Sequence, residues 1–301
     1  MTRITVTGAT GLIGTKLVAA LQARGDEVTV LSRRPKDARR MLGVEAIGWQ
    51  PETEPAPVEG LAGRDGVVHL AGESIAQRWT HESKERIRSS RELGTTLLVK
   101  GLEQAEPRPR VLITASAVGY YGARGDERLD EEALPGEGFL ASVCERWEHA
   151  AAAATNLGVR TIILRTGVLL DPADGGLARM LPPFRLGLGG PVAGGNQYIS
   201  WIAPDDLVHL YLAALDDPEW SGPFNATAPE PVTNRQFAHA LARVLHRPAL
   251  LPIPAFALRT LYGEMADVIT TGQRALPARA LKHGFEFRHP TIDGALQAAL
   301  S

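Results

Sequence analysis

The sequence predicts an α/β protein, a doubly wound parallel sheet with a smaller, mostly helical C-terminal part, and three observations carry that expectation. Short apolar strands alternate with helices over the first half of the chain, the pattern of a parallel sheet covered on both faces. A glycine-rich turn follows the first strand and opens the first helix. Beyond Gly167 the alternation gives way to glycine- and proline-rich stretches and then to helix signals.

The elements follow in order. Residues 4–7 form a short buried strand. Residues 12–24 form a helix with Leu12, Ile13, Leu17, Val18 and Leu21 on one face, and Gly25 stands where a helix stop belongs. The strand over 27–31 completes a βαβ unit of about thirty residues. Strands follow at 44–49 and 66–70, separated by a Pro/Glu-rich solvent loop at 51–59. A long polar helix at 81–104, a strand at 111–115, a helix at 139–156 and a strand at 159–165 continue the pattern. Glycine and proline are frequent over 172–195, and helix signals dominate from Pro204 onward. The expected division is a nucleotide-binding part over 1–168, with a returning segment near 200–228, and a smaller substrate or cap domain over 169–301.

Composition narrows the class of partner. With 44% hydrophobic and 22% charged residues among 301, the chain reads as globular, and a net charge of −2 gives no nucleic-acid surface. Arg33-Arg34 and Arg39-Arg40 are too short to make one. The single cysteine, Cys144, cannot form a disulfide or a cysteine zinc site within the chain, which fits a reducing, cytoplasmic setting. The first strand begins almost at the first residue, so no signal peptide is expected. Apolar runs such as 249–258 are short and broken by proline, so no membrane partner is expected either. The eight histidines lack metal-ligand spacing, and no metal site is expected.

The turn Thr7-Gly8-Ala9-Thr10-Gly11-Leu12-Ile13-Gly14 places glycines three apart. Gly8 permits the sharp exit from the strand, Gly11 lets backbone approach a pyrophosphate, and Gly14 lets the helix pack on the strand. The first N–H groups of that helix and its positive end would hold the phosphates. After a strand, before an amphipathic helix and inside a βαβ unit, this is a dinucleotide site of the Rossmann type. An NAD site places an acid about twenty residues on, at the end of the second strand. Here Ser32-Arg33-Arg34 stands there, while Asp26 and Glu27 lie at the wrong end of the strand. A guanidinium grips a 2′-phosphate that a carboxylate would repel, so the expected cofactor is NADP(H). The alternative is that Arg33 and Arg34 are solvated loop charges.

These residues resemble the extended short-chain dehydrogenase/reductase superfamily. His69-Leu70-Ala71-Gly72-Glu73, Arg78-Trp79, Ser89-Ser90-Arg91 and Ser116-Ala117-Val118-Gly119-Tyr120-Tyr121-Gly122 are similar to one atypical branch of it. So are Leu164-Arg165-Thr166-Gly167-Val168, the segment 182–190, Ser200-Trp201-Ile202, Asn225-Ala226-Thr227-Ala228-Pro229 and Gly284-Phe285. That branch is the NAD-dependent epimerase-like family with a distinctive C-terminal domain of unknown function, here over about 249–297. The resemblance implies that Ala71, Gly72 and Glu73 line the ribose side of the cofactor and that Thr166 to Val168 approach its nicotinamide end. It also implies a small-molecule substrate, nucleotide-linked in the epimerases of the superfamily, and a homodimer through the helices at 81–104 and 139–156.

The superfamily's chemistry uses a tyrosine and, four residues later, a lysine that lowers the tyrosine's pKa. Aligning Glu148 with the family's downstream glutamate puts Leu140 at the tyrosine position and Cys144 at the lysine position. Neither side chain can do that work. Ser116, after the fifth strand, is placed as the family's substrate-binding hydroxyl, or as a turn hydroxyl. Tyr120 and Tyr121 point into the cleft or pack against neighbours; Ser116 and Tyr121 are the candidate catalytic residues. Cys144 reads as a small buried hydrophobe rather than an activated thiol. The acidic run 126–132 reads as a solvated lid edge, and Asp205 or Asp206 as the N-cap of the next helix. Arg179, Arg185 and Asn196, in or near the glycine-rich segment 184–200, either meet the substrate or belong to a surface loop. Two functions from different classes follow: an NADP(H)-dependent oxidoreductase or nucleotide-sugar epimerase-like enzyme, and a non-catalytic protein that senses NADP(H).

Overall fold

The computed structural model describes residues 1–249 and 251–301, so Leu250, within the apolar run 249–258, lies outside it. The sheet is built from β1 (Arg3–Thr7), β2 (Glu27–Ser32), β3 (Glu45–Gly48), β4 (Gly66–His69), β5 (Val111–Ala117), β6 (Arg160–Thr166) and β7 (Gly222–Ala226). All seven pair in parallel, in the order β3-β2-β1-β4-β5-β6-β7. The chain winds outward from β1 in one direction to β3, then returns to β4 and winds the other way. The C-terminal ends of β1 and β4 therefore flank a crevice at the point where the winding reverses, the usual ligand position in such sheets.

Both faces of the sheet are covered. Helix α1 (Leu12–Ala23) turns Leu17, Val18 and Leu21 onto Val6 and Val30. It is stopped at Gly25, whose φ of +83° costs a glycine little. Helix α2 (Pro35–Leu42) was not marked by periodicity, because Ala38 is its one buried residue and it carries three arginines and lysines beside an aspartate. On the opposite face, α3 (His81–Gln104) packs Leu98 and Leu102 against Leu31, Val67 and Leu112. Its start is set by a capping box in which Thr80 and Ser83 satisfy each other's backbone N–H groups. The segment at 51–59 is more than a solvent loop. Ala56 is buried and its N–H donates to Leu97 O at 3.1 Å. A Cβ on Gly101 of α3 would come within 2.4 Å of Ala56 O, so that close approach requires glycine.

Helix α4 (Phe139–Ala152) lies beside α3 and runs on as a tighter turn to Leu157. Helix α5 (Gly175–Arg185) precedes α6 (Pro204–Asp216), which joins α1 in the sheet's core through Leu207, Leu210 and Tyr211. A second core gathers Leu177 and Leu181 of α5, Phe237 and Leu241 of α7 (Asn234–Leu245), and Ile292 and Leu296 of α8 (Ile292–Leu300) around Trp201. The N-cap of α6 is Ala203, not Asp205 or Asp206, because Pro204 takes the first helical position. Asp206 is instead fully buried and accepts from the backbone N–H groups of Arg288 and His289 at 2.8 and 3.0 Å, tying down the C-terminal segment.

His69, at the end of β4, sits between two threonines: Nδ1 is 2.7 Å from Thr7 Oγ1 and Nε2 is 3.1 Å from Thr95 Oγ1. Burial pushes its pKa down to about 4, so the fold holds it neutral. In the unfolded chain it titrates near 6.5. The stability gained by keeping it neutral is complete above about pH 6.5 and is lost as pH falls toward about 4, a loss of about 3 kcal/mol. Urea unfolding followed from about pH 7 to about pH 4 should show a shallower loss for His69→Asn than for the native chain. Equal slopes would mean that His69 does not titrate between the two states.

Candidate functional site

The crevice at the sheet's switch point opens into a cleft of about 310 Å³. Gly8, Gly11, Leu12, Ile13 and Gly14 line one end of it, and Ser116, Leu140 and Cys144 line another part. The turn after β1 is built for close approach. Gly8 has φ +66°, and a Cβ there would lie 2.6 Å from Leu70 C and 2.7 Å from Ala71 N. A Cβ on Gly14 would lie 2.4 Å from Gly8 O. Helix α1 has Gly11 as its N-cap, so no side chain caps it, and it carries no acidic residue in its first turn. Its leading N–H groups and positive end therefore face the cleft unopposed, an anion site in the making. Thr10, beside them, is exposed and does not line the cleft.

At the end of β2, Ser32 Oγ accepts from Arg34 N at 3.1 Å, which shapes the turn into α2. Arg33 and Arg34 are exposed; Arg34 lies 4.0 Å from Asp37, while Arg33 enters no ion pair among the described residues. Two guanidinium groups at this strand end, with a helix N-terminus beside them, suit a phosphate. Ala71 N donates to Thr7 Oγ1 at 3.3 Å, and Gly72 packs near Arg91, where a Cβ would lie 3.3 Å from Cζ. Glu73 does not line the cleft. Its backbone N–H donates to Ser90 Oγ at 3.0 Å and its carboxylate accepts from Gln77 at 3.1 Å. Thr166 lines the cleft but Val168 does not; Val168 pairs in parallel with Trp201 in a two-residue ladder.

Ser116 leaves β5 buried, and its Oγ donates to Glu148 Oε1 at 2.6 Å. Arg165 holds the same carboxylate in a two-pronged grip, Nε to Oε1 at 2.9 Å and Nη2 to Oε2 at 2.8 Å. Its Nη1 donates to Tyr121 Oη at 2.9 Å. Tyr121 is fully buried, its hydroxyl 2.7 Å from Asn225 Oδ1 and 3.0 Å from Asp130 O, and burial pushes its pKa up to about 12. It does not line the cleft, and burial outweighs the opposing pull of the Arg165 guanidinium on its proton. Of the two candidate catalytic residues, the structure thus brings only Ser116 to the site. Tyr120 lies under the Arg165 guanidinium at 3.5 Å, a packing position.

Leu140 and Cys144 both line the cleft, one turn apart on α4. Among the described lining residues there is no lysine, and the one tyrosine, Tyr211, belongs to α6. Burial pushes the Cys144 thiol up to about 11, the direction opposite to activation. The acidic run 126–132 is not all solvated: Glu131 is buried and accepts from Asn225 N at 2.9 Å and from Arg279 N, fastening the C-terminal segment to the sheet. Arg179, Arg185 and Asn196 are exposed and outside the cleft. Among the lining residues that sequence reasoning did not single out are Arg91 of α3 and Trp147 of α4. Arg91 was visible only as part of a motif, and the burial that gives it meaning arises when α3 packs on α4. Among the described residues no group of three or more His, Cys, Asp or Glu side chains is placed to hold a metal, and no helix is long and apolar enough to cross a membrane.

The winding, the glycine turn and the uncapped helix define a dinucleotide-fold α/β protein of the extended short-chain dehydrogenase/reductase type. More narrowly, the chain belongs to the NAD dependent epimerase/dehydratase family, which residues 4–226 match, and residues 253–299 match a domain of unknown function, DUF1731. An epimerase family protein SDR39U1 homolog of Arabidopsis thaliana, described as chloroplastic, is 41% identical over 300 residues, covering 99% of this chain and 86% of the relative. An epimerase family protein of Mycobacterium bovis is 42% identical over 295 residues, covering 97% of this chain and 96% of the relative. The crystal structure of human epimerase family protein SDR39U1, isoform 2, with NADPH superposes with a TM-score of 0.87 at 32% identity, covering 99% of this chain and 98% of that one.

Proposed function

We propose that this protein is an NADP(H)-dependent oxidoreductase or epimerase-like enzyme acting on a small polar, in one variant nucleotide-linked, substrate. The observation that carries the reading is the meeting, in one cleft, of the glycine-lined N-terminus of α1 and the Ser116 hydroxyl. The NADPH in the human relative's structure supports the choice of cofactor. Gly8, Gly11, Leu12, Ile13 and Gly14, with Thr10 at the turn, hold the pyrophosphate. Ser32, Arg33 and Arg34 hold the 2′-phosphate, Ala71, Gly72 and Glu73 border the ribose, and Thr166 to Val168 border the nicotinamide end. Two copies associate through α3 and α4, as the family resemblance implies.

The cofactor supplies the redox chemistry, giving or taking a hydride at its nicotinamide ring. The chain's part is binding and proton handling. Because the Ser116 proton is committed to Glu148, the lone pairs of Oγ are what a substrate meets, so this serine accepts from a substrate hydroxyl. A proton gained there has a path to Glu148, which Arg165 keeps in place. Tyr121 acts on this site only by holding Arg165.

The sensing function has its own support: Leu140 and Cys144 stand in the cleft where a tyrosine and a lysine would be needed. A screen of alcohols and carbonyl compounds, read by the change in nicotinamide absorbance, separates the two. The enzyme predicts turnover that falls by about 100-fold or more in Ser116→Ala. Tight NADPH binding with no turnover of any compound would leave the sensor.

A further inference from the structure

Two polar side chains on the wall of the cleft are incompletely satisfied among the described residues: Trp147, whose indole Nε1 has no partner, and Arg91, whose only hydrogen bond is to a backbone carbonyl. Arg91 lies with its guanidinium 5.1 Å from the Trp147 ring and donates from Nη1 to Ile87 O at 3.1 Å. It enters no ion pair among the described residues, and burial lowers its pKa. Trp147 is 5% exposed, and its indole Nε1 has no partner among them. Two other buried donors share that condition, Arg64 Nε and Arg274 Nε, but neither residue lines the cleft. Arg64 is paired with Glu27 through another nitrogen.

An indole N–H buried without a partner costs about 1–3 kcal/mol. The Glu73 carboxylate acts on the Arg91 guanidinium but makes no hydrogen bond or ion pair with it among the described residues. Leu70, Ile75, Leu140 and Val143 wall the same cleft. A ligand that brings acceptor oxygens satisfies the indole N–H and completes the hydrogen bonds of the guanidinium. The guanidinium fork matches a carboxylate, while an uncharged amide offers it one acceptor and two unwanted donors. Ser116, in the same cleft, is left to accept from a neighbouring hydroxyl.

We propose that Arg91 and Trp147 form a carboxylate subsite and that the substrate is a small hydroxy acid whose carboxylate they hold while its hydroxyl donates to Ser116. The proposal rests on the functional reading above and names its substrate class. Lactate and its uncharged analogue lactamide are the probes, titrated into the purified protein with and without NADP+ and followed by saturation-transfer NMR. Lactate should bind and lactamide should bind at least about 10-fold more weakly. Arg91→Met should weaken lactate by about 30-fold and Trp147→Phe, which keeps the packing, by about 5-fold, with Arg91→Lys between native and Arg91→Met. NADPH affinity should be unchanged in all three. Equal binding of lactate and lactamide, or native lactate affinity in both Arg91→Met and Trp147→Phe, would overturn the subsite. So would a loss of NADPH affinity with lactate binding intact, since the oxygens would then be the cofactor's. If the native protein fails to bind NADPH, the cofactor reading fails, and lactate binding to the free protein still decides the subsite.

Discussion

Arg165→Met should lower folding stability by about 3–5 kcal/mol, a large share of the roughly 5–15 kcal/mol that holds a domain together. Arg165 is 3% exposed and its partner Glu148 is 8% exposed, so removing the cation leaves a carboxylate in the interior with only Ser116 to satisfy it. The same change takes a hydrogen bond from Tyr121 and the stacked cation from Tyr120. Thermal unfolding should begin lower by on the order of 5–10 °C. The double variant Arg165→Met, Glu148→Leu should recover much of the loss, because it removes the stranded charge together with its partner. A double variant as unstable as Arg165→Met alone would show that the packing of the guanidinium, and not the pairing of charges, carries the stability.

Gly14→Val should abolish measurable cofactor binding, a loss of about 100-fold or more in affinity, worth about 2.7 kcal/mol. The first atom of any side chain at position 14 meets Gly8 O at 2.4 Å and Ala9 Cα at 2.5 Å, both backbone. Neither can rotate away, so the turn after β1 must shift, and it is that turn and the start of α1 that present N–H groups to the cleft. Gly25→Val serves as the comparison, since a Cβ there meets nothing within 4 Å and lies away from the cleft. Its penalty is confined to the strained φ of +83° and should appear in stability alone. NADPH affinity in Gly14→Val equal to that of Gly25→Val would remove the turn from the binding site.

Much of the sheet was legible because its signals are local. β1, α1 and β2 follow from a short β-branched strand, a helix whose buried residues recur on one face, and a glycine at each junction. Helix α3 is bounded where periodicity and capping chemistry agree. The parts that were not legible depend on what the chain meets elsewhere. α2 has no apolar face to announce it. Tyr120 and Tyr121 are adjacent and chemically alike, yet the tight turn after β5 sends one under Arg165 and the other toward Asn225. Asp206 resembles a cap in sequence, and only the return of residues 288–289 shows what its carboxylate is for. Arg91 and Trp147 come from different helices, and they meet, with the indole N–H unpaired, only because α3 and α4 pack side by side. Ser116 was singled out as the residue after a strand at 111–115; the strand runs on to Ala117 with Ser116 inside it, and its proton acceptor, Glu148, lies thirty-two residues away.

If the end of β2 selects NADP(H), a titration of the native chain and of Arg33→Ala with NADPH and with NADH, followed by nucleotide fluorescence, will show it. NADPH should bind the native chain more tightly than NADH by about 100-fold, and most of this preference should disappear in the variant while NADH affinity is unchanged, since a charge-assisted phosphate contact contributes about 1.5–3 kcal/mol. Equal affinity for the two nucleotides in the native chain, or no binding of either, would contradict it.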